Sequence, residues 1–205
     1  MMEVCYLTKD FYNAIEDRRS FYSLSKEKVV PHNRIKEVID HAVQYSPSAF
    51  NSQSARLVVL TGQNHDLVWD ITKESLRKAV GEKDFGKTEE KIQSFKNGYG
   101  TVLFFEDQVI IERLQDQFKT YSENFPIWSN QSSGILQFVV WTSLEIEGFG
   151  ASLQHYNPLI DDEVRKTWDI SPHWKLIAQM PFGKATAEPG DKAFNPIDER
   201  VKYYQ

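Results

Sequence analysis

The stretch from Ser132 to Glu147 constrains the fold more than any other part of the sequence. It is apolar on most faces rather than along one stripe, so a helix there has to be covered by protein on nearly every side. Such a helix belongs at the centre of a domain or under a large interface, and the rest of the chain must supply the cover.

The flanking periodicities supply it. Residues 9–17 read as a short helix that ends at Arg18-Arg19. From Asn33 to Gln44, Ile35, Val38, Ile39, Ala42 and Val43 recur at helical spacing, which predicts an amphipathic helix capped by Asn33. Residues 64–80 predict another helix, the charged segment Lys83 to Lys96 a shorter one, and Val109 to Phe118 a third. Strand signals are Arg56 to Leu60, the aromatic-rich Thr101 to Phe105, and Lys175 to Met180, which Pro181 is expected to end. Pro196 to Tyr204 is expected to be extended. Few strands among many helices, without regular βαβ alternation, predict an α+β fold rather than a doubly wound sheet. At 205 residues, with no repeat and no linker, a single domain over 1–205 is expected.

Composition excludes several classes. With 40% apolar and 26% charged residues the chain is expected to be a soluble globular protein. Its formal net charge of −5 comes without a basic block, so no nucleic-acid partner is expected. The most apolar run, Gly134 to Leu144, is interrupted by Gln137, Thr142 and Ser143 and falls short of the ~18 residues of a membrane span. The opening MMEVCYLTKDFY has no basic or apolar region of a signal peptide. The single cysteine, Cys5, permits no intramolecular disulfide, which fits a cytoplasmic location; no His or Arg stands close enough to mark it as a reactive thiol.

Familiar catalytic patterns are missing. Gly148-Phe149-Gly150 follows a helix and lacks the third glycine of a dinucleotide fingerprint. The histidines at 32, 41, 65, 155 and 173 show no ligand spacing. No phosphate-cradling Walker loop and no G-x-S-x-G elbow are present. Three segments remain. Arg18-Arg19-Ser20 suits either a helix C-terminus stabilised by positive charge or a clamp for an anion, since a guanidinium fork matches phosphate oxygens. Ser46 to Gln53 suits either a self-bonded turn or the polar edge of a uracil-like ring. Gly148 to His155, rich in small residues, allows close approach of a packed helix or of a ligand.

In their order and surroundings these segments resemble the flavin-dependent nitroreductases, most closely their small bacterial and fungal branch. The resemblance runs from Arg18 nearly to the C-terminus. It is carried by Arg18-Arg19-Ser20-Phe21-Tyr22, Ser48 to Gln53, Tyr99 to Asp107, Leu153 to Pro158 and Phe194 to Val201. It implies a nitroreductase-like fold: a central mixed or antiparallel β-sheet flanked by helices, with an extended C-terminal segment. It also implies an FMN-dependent oxidoreductase that takes hydride from NADH or NADPH and passes it to nitroaromatics, quinones or related acceptors by ping-pong turnover. The protein would work as a homodimer with flavin between the subunits.

Residue by residue, the resemblance gives the FMN phosphate and ribityl chain to Arg18, Arg19 and Ser20. It gives a partner-subunit contribution to Pro47, Ser48, Asn51 and Gln53, and electrostatic support at the flavin pyrimidine to Lys91. Leu153 and Gln154 would lie along the ring system. Lys192 and Arg200 are candidates to complete the phosphate site. Tyr22 stands where larger relatives often carry a lysine or arginine, and Phe194 where they often carry an arginine, which shifts weight from Lys192 to Arg200. No catalytic acid or base is implied, because the flavin carries the chemistry. Substrate stacking would need aromatic residues on a mobile element, and Phe125 and Trp128 are the candidates. Two other readings are a flavin-binding redox sensor with little turnover and a cofactor-free interaction domain. Sustained NADH oxidation would separate the first from the enzyme, and a yellow protein would exclude the second.

Overall fold

A computed structural model describes residues 9–81 and 85–205; Cys5 lies outside them. The helices are α1 (Phe11–Asp17), α2 (His32–Tyr45), α3 (Gln63–Val80), α4 (Gly86–Lys96), α5 (Gln108–Gln117), α6 (Phe125–Ile146) and α7 (Asp161–Thr167). The strands are β1 (Leu24–Ser25), β2 (Ala55–Thr61), β3 (Gly100–Asp107), β4 (Gly150–Ala151) and β5 (Trp174–Ala185). They form one sheet of order β1-β5-β3-β2, with β4 also paired to β5. Among the described residues every strand pair is antiparallel, and the one parallel contact is an isolated bridge from Ser20 to Ala151. The α+β architecture expected from the sequence is the one observed.

β3 explains how the core is divided. It is buried from Gly100 to Glu106, so both faces are covered and its side chains alternate between two clusters. Val102 and Phe104 join Ala178, Met180 and Phe182 of β5 against α2 and α6. Leu103 and Phe105 point the other way, into a cluster with Leu60, Trp69, Ile92, Phe95 and Val164 from β2, α3, α4 and α7.

The structure corrects several boundaries. α2 begins at His32 after Pro31, so Asn33 lies inside the first turn and is not the cap. Pro181 lies within β5 and does not end it. Gln179, two residues earlier, exchanges both backbone bonds with Gln154, and the Pro181 carbonyl accepts from Ser152 on that same side. The missing N–H therefore faces the Ser152 segment, and the ladder to β3 is intact. The chain after Ala185 forms no strand and contains one 3-10 turn, at Ile197–Glu199.

α6 differs most from expectation. It starts at Phe125, not at Ser132, because Pro126 fits the first helical turn, where its lack of an N–H costs nothing. It is also not covered all round within one chain. Ile127, Ile135, Phe138 and Ile146 are exposed, and at 100° per residue they fall in a stripe about 100° wide. Val43 and Tyr45 of α2 are exposed as well.

Candidate functional site

α1 ends by handing its last carbonyls to Arg18, whose backbone N–H bonds Ala14. The chain then runs extended along β4: Ser20 bridges Ala151, and the Phe21 N–H donates to the Ala151 carbonyl at 2.9 Å. Gly150 permits this approach, since a Cβ there would stand 2.9 Å from that of Phe21. Beyond, Thr186 donates to Ser23. Pinned this way, residues 18–23 and 187–192 enclose a cavity of about 490 Å³ that brings Arg18, Arg19, Ser20, Tyr22 and Lys192 together.

Electrostatically this cavity is prepared for an anion. The Arg18 guanidinium lies 4.4 Å from the centre of the Trp141 ring on α6. Its Nε is buried without a hydrogen-bond partner. Burial first, then the neighbouring Arg19, lowers its pKa, so the cation is held at a cost that a bound anion would offset. Arg19 donates to the Gly190 carbonyl and so ties the two walls together. The Lys192 ammonium sits 5.1 Å from the ring centre of Phe194. Tyr22, exposed, packs its ring 6.3 Å from that of Phe95 on α4.

A second cavity, about 310 Å³, gathers Pro47, Ser48, Asn51 and Gln53 with Ser54, Arg56, Glu106 and Ser132. The turn chemistry is present: the Gln53 N–H bonds Ser48 Oγ at 3.1 Å and the Asn51 N–H bonds the Ser48 carbonyl. Yet Phe50, Asn51 and Gln53 all have left-handed backbones, at φ 55°, 48° and 48°. Asn tolerates that region, whereas for the other two it costs roughly 1–2 kcal/mol each. Ser132 of α6 accepts from the Ala49 N–H at 3.3 Å, and Arg56 holds the Gln53 carbonyl at 2.8 Å while pairing with Asp107 at 3.1 Å. The two cavities have no lining residue in common.

The remaining candidates are distributed as follows. Gln154 is buried against Gln179, with its side chain on Ser152 at 3.1 Å, and Leu153 packs on the core; both follow directly from the Ala151 anchor of Phe21. Lys91 is exposed on α4, one turn before Phe95. Arg200 is exposed beyond the 3-10 turn and does not line the first cavity. Phe125 and Trp128 occupy the first turns of α6. Phe125 is buried with Ile111 and Leu114, so it is a core aromatic, while Trp128 is half-buried.

Two residues escaped the sequence reading. Phe50 is 49% exposed and lies nearly parallel to Trp128, with ring centres 5.7 Å apart and an 18° angle between planes. It also meets Phe118 at 5.0 Å and Phe125 at 5.2 Å. Glu106 is a buried carboxyl at the floor of the second cavity. An acidic residue in an aromatic strand was a visible anomaly, but nothing in the sequence places the serines that surround it. Among the described residues no His, Cys, Asp or Glu cluster could hold a metal ion, and no helix is long and apolar enough to cross a membrane.

A three-layered α+β protein with a cationic cavity beside its central helix is the class that fold and site define. Residues 15–184 match the family model of the Nitroreductase family. The chain is 33% identical over 190 residues to the nitroreductase FRM2 of Saccharomyces cerevisiae, covering 91% of this chain and 94% of that one. It superposes on nitroreductase CinD from Lactococcus lactis in complex with nicotinic acid with a TM-score of 0.90 and 43% identity, over 96% of this chain and all of that one. CinD has also been solved with 4-nitrophenol. An FMN complex from Exiguobacterium sibiricum, 13% identical over 96% of this chain and 98% of that one, shares the fold with a TM-score of 0.69. The chain belongs to the nitroreductase family.

Proposed function

We propose that this oxidoreductase is FMN-dependent, that NADH or NADPH reduces it, and that it passes hydride to nitroaromatics, quinones or related acceptors by ping-pong turnover. The observation that carries the reading is the first cavity, where a half-buried guanidinium, its Nε buried without a partner, stands beside a second guanidinium, a hydroxyl and an ammonium. That donor set fits a phosphate dianion. FMN is favoured over FAD because no dinucleotide fingerprint is present for an adenylate half.

When bound, FMN would supply the hydride chemistry, and the protein supplies binding, orientation and charge. Arg18, Arg19 and Ser20 would hold the phosphate and ribityl chain. Lys192 lines the cavity and Arg200 does not, which favours Lys192 for completing the site. Lys91 would place its charge toward the flavin pyrimidine, where negative charge develops on reduction. Leu153 and Gln154 would lie along the ring system, their backbone fixed by Gln179. The CinD complex with 4-nitrophenol supports a nitroaromatic acceptor.

We also infer a homodimer in which Pro47, Ser48, Asn51 and Gln53 of one subunit complete the flavin site of the other. Three observations support it: the separateness of the two cavities, the exposed apolar stripe on α6, and the C-terminal arm. Every residue from Asp191 to Gln205 is exposed, and among them Phe194, Ile197, Val201, Tyr203 and Tyr204 are large and apolar or aromatic. Such side chains await cover from another chain.

The test is a spectrum of the purified protein, chromatography of the flavin released on denaturation, and NADH oxidation with 4-nitrophenol or a quinone. FMN with sustained turnover is expected. A colourless protein or released FAD would overturn the reading, and a yellow protein without turnover would favour the redox sensor.

A further inference from the structure

Glu106 is a buried titratable group for which the proposed activity leaves no role. It is 1% exposed. Both of its hydrogen bonds fall on one oxygen: Ser54 donates to Oε2 at 2.6 Å and Ser129 at 2.7 Å. The other oxygen, Oε1, is buried and has no partner. A carboxylate in that position would leave a charged oxygen unsolvated, which favours the neutral acid. Burial accordingly raises the Glu106 pKa, against the two serine bonds and the pull of Arg56. The charged groups facing it are Arg56 from β2, already committed to Asp107 and two carbonyls, Asp107 on its own strand, and Lys175 opposite it on β5. From α6, Ser129 donates to it, and Ser132 and Leu136 line the same cavity.

The hydroxyl chain continues outward. Ser54 Oγ lies 3.3 Å from Ser52 Oγ. Ser52 and Ser54 border a small cleft together with Phe125 and Trp128, beneath the ring of Phe50. A buried acid is therefore joined by two hydroxyls to the strained loop and its aromatic cluster.

We propose that Glu106 stores the proton consumed in acceptor reduction and delivers it through Ser54 and Ser52. The inference rests on the flavin reading. Two-electron reduction of a quinone adds one hydride, from the reduced flavin, and one proton, which the hydride donor does not supply. Hydride transfer leaves a hydroquinone monoanion. With the acid proton on Oε2 and the Ser54 hydroxyl turned from Glu106 toward Ser52, the monoanion's oxygen takes the proton of Ser52 as that O–H bond breaks, Ser54 reprotonates Ser52, and the Oε2 proton passes to Ser54. Glu106 is left as carboxylate and regains its proton from solvent before the next turnover. No electron passes along the chain. Glu106 never touches the acceptor: it acts through the serines, as a buried acid whose unpartnered Oε1 favours the protonated form.

The experiment separates the half-reactions by stopped flow on the FMN-loaded protein, comparing wild type with E106Q, S52A and S52T. Reduction by NADH should be unchanged in all four. Oxidation by a benzoquinone should slow on the order of 100-fold in E106Q and S52A and recover in S52T, which keeps the hydroxyl. The wild-type solvent isotope effect on oxidation should disappear in E106Q. A second readout needs no turnover: infrared spectra of flavin-free protein at neutral pH should show a protonated-carboxyl band that is lost in E106Q and shifted in S54A. Absence of that band, or wild-type oxidation rates in S52A, would overturn the proposal even if E106Q fails to fold. Failure to bind FMN, or to be reduced by NADH, would instead overturn the flavin reading, and the infrared band would still decide whether Glu106 holds a proton.

Discussion

At Arg18 and His65 single side chains hold charge states that burial alone disfavours or enforces. Arg18 keeps its cation against the Trp141 ring with Nε unsatisfied. Arg18→Ala should weaken FMN binding by about 1.5–3 kcal/mol, the usual worth of a charge-assisted bond. Equilibrium titration of the flavin-free protein checks this, and an unchanged dissociation constant would leave Arg18 as a helix terminus only. His65 is the converse case. Its Nε2 bonds the Lys96 carbonyl at 3.1 Å, so Nε2 carries the hydrogen and Nδ1 accepts from Thr101 Oγ1 at 2.9 Å, which itself accepts from Trp69 Nε1 at 2.9 Å. Burial lowers the His65 pKa to about 4 from 6.5. The unfolded chain therefore binds the proton first. The contribution is complete above pH 6.5 and is lost as pH falls toward 4, by roughly 3 kcal/mol at the bottom of the window. Glu106, whose pKa is raised, has the opposite sign and gains stability in acid. Denaturation of wild type and His65→Gln at pH 7 and pH 4.5 isolates the histidine, since only wild type should lose this increment.

Among the elements, β5 is the most crowded, because β3, β1 and β4 all meet it near Gly183. A Cβ at Gly183 would stand 2.6 Å from the Ser25 carbonyl oxygen and 2.9 Å from the Tyr99 nitrogen, both backbone atoms that cannot step aside. Gly183→Ala should cost about 1–3 kcal/mol and lower the Tm accordingly. A wild-type melting curve would show that the junction yields. What the sequence reveals at this scale follows from periodicity. Ile35, Val38, Ile39 and Ala42 declare α2, and Thr101 to Phe105 declares β3, because each side chain's partner face repeats along the chain. Pro181 misled for a physical reason. Proline breaks a helix or ladder only where its N–H is needed, and whether it is needed depends on neighbours that the sequence does not place. Phe50 and Glu106 escaped for the same reason. The ring stack on Trp128 spans 78 residues and the two serine bonds to Glu106 span 52 and 23, and no local pattern encodes them. The grouping of Arg18 with Lys192 was legible only through the family resemblance.

For the whole molecule, the proposed dimer would cover the exposed stripe of α6 and the exposed C-terminal arm. A stable obligate interface of this kind often exceeds ~2,000 Å² and is hydrophobic. The chain should sediment as a dimer, and removing residues 194–205 should shift it toward monomer and release FMN in parallel. Sedimentation and flavin fluorescence on one dilution series check both. A monomer that retains FMN at full affinity would overturn the shared site and the roles of Ser48, Asn51 and Gln53.

α6 is about 33 Å long at 1.5 Å per residue, and it touches nearly everything that matters. Trp141 backs Arg18, Glu145 pairs with Lys9 ahead of α1, Ser132 holds the Ala49 N–H, and Ser129 holds Glu106. It behaves as a common axle. Substitutions along it cannot retune one end alone, so anyone evolving this protein toward new acceptors would find cofactor retention and acceptor range changing together. Variation at Phe50, Phe118 and Tyr121, which pack together off α6, is where the two can be separated.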